Sequence, residues 1–168
     1  MSSRRIQDLH PQFQPRARTW LNACADAGYL IVVYFTVRSA AEQHALYLQG
    51  RTPLDQVNAA RATVGWVPLS AAANAHTVTR ADSGSSWHEF GLALDYVPLQ
   101  HGKPDWIANP RDPADIYDET EAIATQRGLV SGAAWQDYGH IEWHPGLTLE
   151  RARELAAAAQ PIAFSDAA

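Results

Sequence analysis

The stretch SSWHEFGLALDY, residues Ser85 to Tyr96, sets His88 and Asp95 seven positions apart among small and apolar residues. Leu92 to Val97 alternates well enough to form a strand, so His88 falls on the loop or helical turn before it and Asp95 within it. An unpaired carboxylate inside an apolar strand costs several kcal/mol, so Asp95 demands a partner. A metal ion is one such partner, and Arg38 is the rival.

Downstream, WQDYGH (Trp135 to His140) supplies a second imidazole and a spare carboxylate. Two imidazoles and a carboxylate are the inventory of a catalytic zinc site, which takes three protein ligands and keeps one position for water. His88, Asp95 and His140 fit the ligand role. Asp137, three residues before His140, can serve as the base that takes a proton from water and returns it to a leaving amine. Arg38 is a natural cation for a substrate carboxylate or a developing oxyanion. Each has a plainer reading: His88 as an ordinary loop histidine, Arg38 as half of a structural ion pair.

Several decoys can be weighed on spacing. His88-Glu89 opens like an HExxH motif, but position 92 is leucine, so the second histidine is absent. Residues 140, 142 and 144 would share one face of a strand, so Glu142 and His144 stay open as contributors, although Pro145 suits a strand end. The acidic run Asp112 to Glu121 lacks the ligand order and glycine of an EF-hand, which leaves a calcium role unsupported and helix capping preferred. Of the six tryptophans, Trp87 and Trp135 are expected beside the metal and the others in core or rim positions.

Around these motifs the chain reads as alternating elements without a regular βαβ period. Pro15 to Ala27 has helical apolar spacing and ends before Gly28. Leu30 to Val37 (LIVVYFTV) has the composition of a central strand buried on both faces. Ser39 is an N-cap for a helix over Ala40 to Leu48, closed by Gly50. Residues 52–77 read as an irregular insertion with one short helix. Thr77 to Thr79 is expected as a short strand, Asp112 to Gln126 as a helix, Gly139 to Trp143 as a third strand and Thr148 to Ala159 as a helix, with a flexible tail over 161–168. The resulting expectation is one α+β domain over 1–160, with a small, largely antiparallel sheet flanked by helices.

Composition narrows the partners. The 168 residues carry a net charge of −5 with no long basic cluster, which argues against nucleic acid. Cys24 is the only cysteine, so neither an internal disulfide nor a Cys-rich zinc site can form. No membrane segment is visible. The N-terminus lacks the apolar region of a secretory signal, so the expectation is a chain made in the cytoplasm. No feature signals an oligomer, and a monomer is the default.

Three segments resemble, in order, motifs of the M15 zinc peptidases: TVRSAAEQHALYLQGRT (Thr36 to Thr52), VTRADSGSSWHEFGLALDY (Val78 to Tyr96) and WQDYGHIEW (Trp135 to Trp143). The family pattern runs YRS…Q…LY.QGRT, then VT.A…S.H..G.A.D, then W.D.PHFEW. The nearest branch is the L-alanyl-D-glutamate endopeptidases that phages use as endolysins. The resemblance implies a Hedgehog/DD-peptidase fold, one catalytic Zn2+ on His88, Asp95 and His140, Asp137 as base and Arg38 as a substrate or transition-state contact. It also matches Ser86 and Gln43 as supports of a substrate site, to which Trp87, next to the first ligand, is added as a further candidate. The implied substrate is bacterial peptidoglycan, cut at L-Ala-D-Glu outside the membrane after holin-mediated release. A D-Ala-D-Ala carboxypeptidase or dipeptidase of the same family is the near alternative, and a non-catalytic zinc-containing wall-binding or signalling module is the alternative of another class. Three departures stand out: Val37 for the family's tyrosine, Gly139 for its proline, which should loosen that turn, and the insertion, expected as a lid or specificity loop.

Overall fold

The computed structural model describes residues 2–108 and 115–164. Five strands and five α-helices are described, joined by single-turn 3-10 helices. Strands β1 (Ile31–Phe35), β2 (Ala93–Gln100), β4 (Val130–Ser131) and β5 (His140–Glu142) lie in the order β1-β2-β5-β4, with β3 (Lys103–Pro104) on β2, and every pairing is antiparallel. The helices are α1 (Gln14–Asp26), α2 (Ala40–Leu48), α3 (Leu54–Thr63), α4 (Ile116–Thr125) and α5 (Leu149–Ala157). The α+β class with a small antiparallel sheet is therefore the observed one.

The centre of the sheet is β2, not β1. Six successive residues of β2, Ala93 to Pro98, are buried, whereas β1 ends the strand order, with Leu30 60% and Val32 41% exposed. The expectation of a doubly buried strand at 30–37 is thus corrected: β-branched composition marks a strand but not its place in the sheet. The alternation of β2 sends Tyr96 toward α1 and α4 and its neighbour Asp95 to the opposite face. Tyr96 meets the Trp20 ring edge-on at 4.9 Å and its hydroxyl bonds Thr120 Oγ1 at 2.7 Å. Trp20 itself is fully buried and donates its indole N–H to the Thr120 carbonyl, so the largest core side chain is also satisfied as a donor.

Helix α2 begins where its capping chemistry dictates. The Ser39 hydroxyl accepts the Glu42 N–H, and the Glu42 carboxylate accepts the Ser39 N–H at 2.8 Å, a reciprocal box. Residues 52–77 hold α3 and one 3-10 turn. Thr77 to Thr79 is not a strand; its backbone is fixed by side chains instead, with Arg51 donating to the Thr79 carbonyl at 2.7 Å. Helix α4 starts from an Asp115 N-cap, and the Asp112 to Ala114 part of the expected helix lies outside the described residues. Within the expected tail, Phe164 packs on Trp143 at 4.5 Å and on His10 at 5.5 Å, while 165–168 lie outside the described residues.

Candidate metal centre and active site

Strand register brings the first two donors together. Asp95 of β2 stands directly opposite His140 of β5, and cross-strand neighbours lie close enough for their side chains to meet. The third donor comes from a single 3-10 turn, Trp87–Phe90, which closes on Gly91 at φ +67° immediately before β2. A left-handed residue reverses the chain there, and a Cβ at Gly91 would lie 2.9 Å from the His10 backbone nitrogen. His88 Nε2 then lies 3.1 Å and His140 Nδ1 2.8 Å from the same oxygen, Asp95 Oδ1. One donor atom from each of the three side chains falls within 4.8 Å of the others, and all three residues are buried.

The outer atoms of these groups are also engaged. His88 Nδ1 donates to the Thr36 carbonyl at 2.9 Å, which directs the lone pair of Nε2 inward. His140 Nε2 faces Glu142 Oε1 at 2.9 Å, and Asp95 Oδ2 is paired with Arg38 Nη2. Burial alone would raise the Asp95 carboxyl, but the His88 and Arg38 charges, with bonds from both imidazoles, hold it well below the usual carboxylate range. Burial depresses His88. It opposes charge on His140 as well, yet bonds to Asp95 and Glu142 raise that imidazole. With its proton on Nδ1 toward Thr36, His88 turns a bare Nε2 to a carboxylate oxygen at 3.1 Å, a contact that a cation between them would relieve, and two nitrogens with one oxygen match a tetrahedral zinc donor set with a free fourth position. The residues fit the ion.

This cluster sits in a cleft of about 620 Å³. Arg38, Ser86, Trp87 and Asp137 line it with the three donors. Asp137 is exposed and follows Gln136, whose φ of +64° turns the chain so that a single short loop carries both the acid and His140. Trp135 stands edge-on to the His140 ring at 6.2 Å. Gln43 does not reach the cleft: it is fully buried, donates to the Ala81 carbonyl at 2.7 Å and accepts from Arg38, so it braces the guanidinium against the cleft wall. Arg38 bonds Asp95 through Nη2 and Gln43 through Nη1, its buried Nε has no hydrogen-bond partner among the described residues, and the side chain lines the cleft. His144 lies outside the donor group, stacked on Trp87 at 4.1 Å.

The Gly139 turn is not loose. Its φ is +82°, which proline cannot adopt, and its N–H donates to Glu121 Oε1 at 2.8 Å while its carbonyl accepts the Tyr96 N–H at 2.8 Å. Sequence reading missed two contributors and left a third, Glu142, open. The Thr36 carbonyl is backbone and carries no residue signal. Tyr34 reads only as a strand aromatic, yet it lines the cleft as a phenol that burial and Asp95 hold protonated. Glu142 is visible as a neighbour of His140, but its aim depends on a rotamer.

Comparison with known proteins agrees with this arrangement. The peptidoglycan L-alanyl-D-glutamate endopeptidase CwlK of Bacillus subtilis (strain 168) is 30% identical over 156 residues, covering 82% of this chain and 75% of that protein. The chain belongs to the M15 peptidase family. An M15 model described as D-alanyl-D-alanine carboxypeptidase matches residues 79–143 of this M15 peptidase, the span that holds all three donors and Asp137. Two solved structures share its fold with a TM-score of 0.50 each. One is the vancomycin-resistance D,D-pentapeptidase VanY in complex with Zn(II), 16% identical over 90% of this chain and 80% of that one. The other is the LD-carboxypeptidase LdcB, 15% identical over 90% of this chain and 65% of its own. The fold class expected from sequence is therefore the fold of this M15 metallopeptidase.

Proposed function

We propose that this chain is a zinc-dependent peptidase of bacterial peptidoglycan that cuts the L-Ala-D-Glu bond of the stem peptide. The observation that carries the reading is the convergence of His88 Nε2 and His140 Nδ1 on Asp95 Oδ1 in a cleft that Asp137 also lines. The relation to CwlK, whose name specifies that bond, supports the substrate. Among the described residues no helix is long and apolar enough to cross a membrane.

In this reading His88, Asp95 and His140 would hold the ion, which would supply a Lewis acid and lower the pKa of a bound water to about 7. Asp137 takes a proton from the attacking water and hands it to the departing amine. Its exposure at the cleft suits that work, because the carboxylate is open to a bound water and to the substrate. Arg38 keeps Asp95 ionised and oriented and, lining the cleft, also offers a cation to the substrate or to a developing oxyanion. Trp87 and Trp135 give the cleft apolar walls against which a peptide stem can lie. The segment 52–77 packs through α3 against α2 and reaches the cleft lining at Thr77, within the same catalytic unit.

The second reading, a D-Ala-D-Ala carboxypeptidase, is favoured by the description of the family model over residues 79–143. A wall-binding module without turnover is disfavoured because Asp137 sits at the cleft. Mass spectrometry of soluble products from purified cell walls separates the three. A new amino-terminal D-Glu is expected; freed D-Ala would assign the carboxypeptidase, and no release by zinc-loaded protein would overturn the enzyme reading.

A further inference from the structure

We propose that Glu142 is a positioning residue for the metal centre, fixing the His140 ring so that Nδ1 is presented to the ion. This rests on the zinc reading above and adds to it a residue outside the ligand set. His140 and Glu142 are two apart on β5, so both project from the same face of the strand. Glu142 Oε1 lies 2.9 Å from His140 Nε2, while Nδ1 lies 2.8 Å from Asp95 Oδ1. A neutral imidazole carries one proton. With the carboxylate of Glu142 accepting at Nε2, that proton stays there and Nδ1 keeps its lone pair for the ion.

Glu142 is itself held. Its second oxygen, Oε2, lies 3.1 Å from His144 Nε2, and the His144 ring lies flat on Trp87 with centroids 4.1 Å apart and planes 9° from parallel. Trp87 directly precedes His88, so the run His140, Glu142, His144, Trp87 closes a loop from one ligand histidine back to the other. The two histidines are supported differently. His88 leans on a neutral carbonyl, Thr36, and His140 on a carboxylate, which makes His140 the more basic ligand.

The test is zinc affinity of the full chain, measured by competition with a chromophoric chelator for wild type, Glu142→Gln and Glu142→Ala, together with the Co(II) spectrum and separate kcat and KM. Loss of such an outer carboxylate costs about 10–100-fold in metal affinity, and that loss is expected for Glu142→Ala with a shifted Co(II) band. Glu142→Gln keeps an acceptor oxygen for Nε2–H without the charge, so it falls between the two and also serves if the alanine variant does not fold. Wild-type zinc affinity and spectrum in both variants, or in the glutamine variant when only that one folds, would overturn the proposal, above all if KM alone rises, since Glu142 would then face substrate. Failure of wild type to bind one zinc would instead overturn the metal reading itself, a result distinct from any difference between variants.

Discussion

The two sides of the cleft are built by different physics. On one side β2 and β5 place Asp95 and His140 opposite each other within a sheet whose Leu92, Ala93, Leu94 and Ile141 are fully buried. On the other, Thr77 to Ala81 lines the cleft with little burial, Val78 being 52% exposed, and is tied down by Gln43 and Arg51 donating to backbone carbonyls. Metal ligation tolerates little error in direction, so the donors belong on paired strands, whereas a wall that meets substrate can be a loop pinned at a few points.

If that contrast is right, damage should be graded across the cleft. The largest effect is expected from Asp95→Ala, which leaves Arg38 buried without its partner. Breaking such a pair costs about 3–5 kcal/mol, and chemical denaturation together with metal analysis should show both lost stability and lost zinc. Asp137→Ala, on the exposed loop, should lower turnover by about 10²–10⁴-fold while melting temperature and zinc content stay at wild-type values. Full activity in that variant would remove Asp137 from the mechanism. Gly139→Ala should cost about 1–3 kcal/mol, because a Cβ there would lie 2.5 Å from the Tyr96 carbonyl oxygen at a φ of +82°.

A smaller effect concerns pH. Burial pushes the Glu121 carboxyl above its ordinary range despite bonds from the Gly139 N–H and the Ser131 hydroxyl. A raised folded-state value means the protonated form is the better tolerated one, so this group's contribution is fullest below the ordinary carboxylate range and is lost as pH rises through the folded value. Denaturation of wild type against Glu121→Gln from acid to neutral pH should show that slope only in wild type. The smallest effect should come from the α3 segment that precedes the loop wall. Asn58 clamps the Leu69 backbone through both its amide atoms, at 2.7 and 3.2 Å. Asn58→Ala is expected to change global stability by about 1 kcal/mol or less while faster proteolysis appears between α3 and the 3-10 turn at Ala73–Ala75.

What could be read from sequence follows the same division. Asp95 stands out because a carboxylate in an apolar strand needs a partner, His88 and His140 because they complete a donor set with it, and Asp137 by its spacing before His140; the structure gathers all four in one cleft. The α2 boundary was legible because Ser39 caps it through its side chain. The place of β1 at the end of the strand order was not, because composition reports burial only on average. Nor was the loop at Thr77 to Thr79, whose β-prone residues are held by partners up to 36 positions away in sequence, as in the bond from Gln43 to the Thr79 hydroxyl. The role of Glu142 depends on the rotamer that turns its carboxylate to Nε2 of a neighbour two residues away, and no spacing rule encodes that choice.

The most direct test of the metal centre is anomalous diffraction at the zinc edge from crystals of zinc-loaded protein. The account predicts one peak about 2.0–2.2 Å from His88 Nε2, His140 Nδ1 and an Asp95 carboxylate oxygen. A peak placed instead on His140 Nε2 and His144, or none in this cleft, would contradict it.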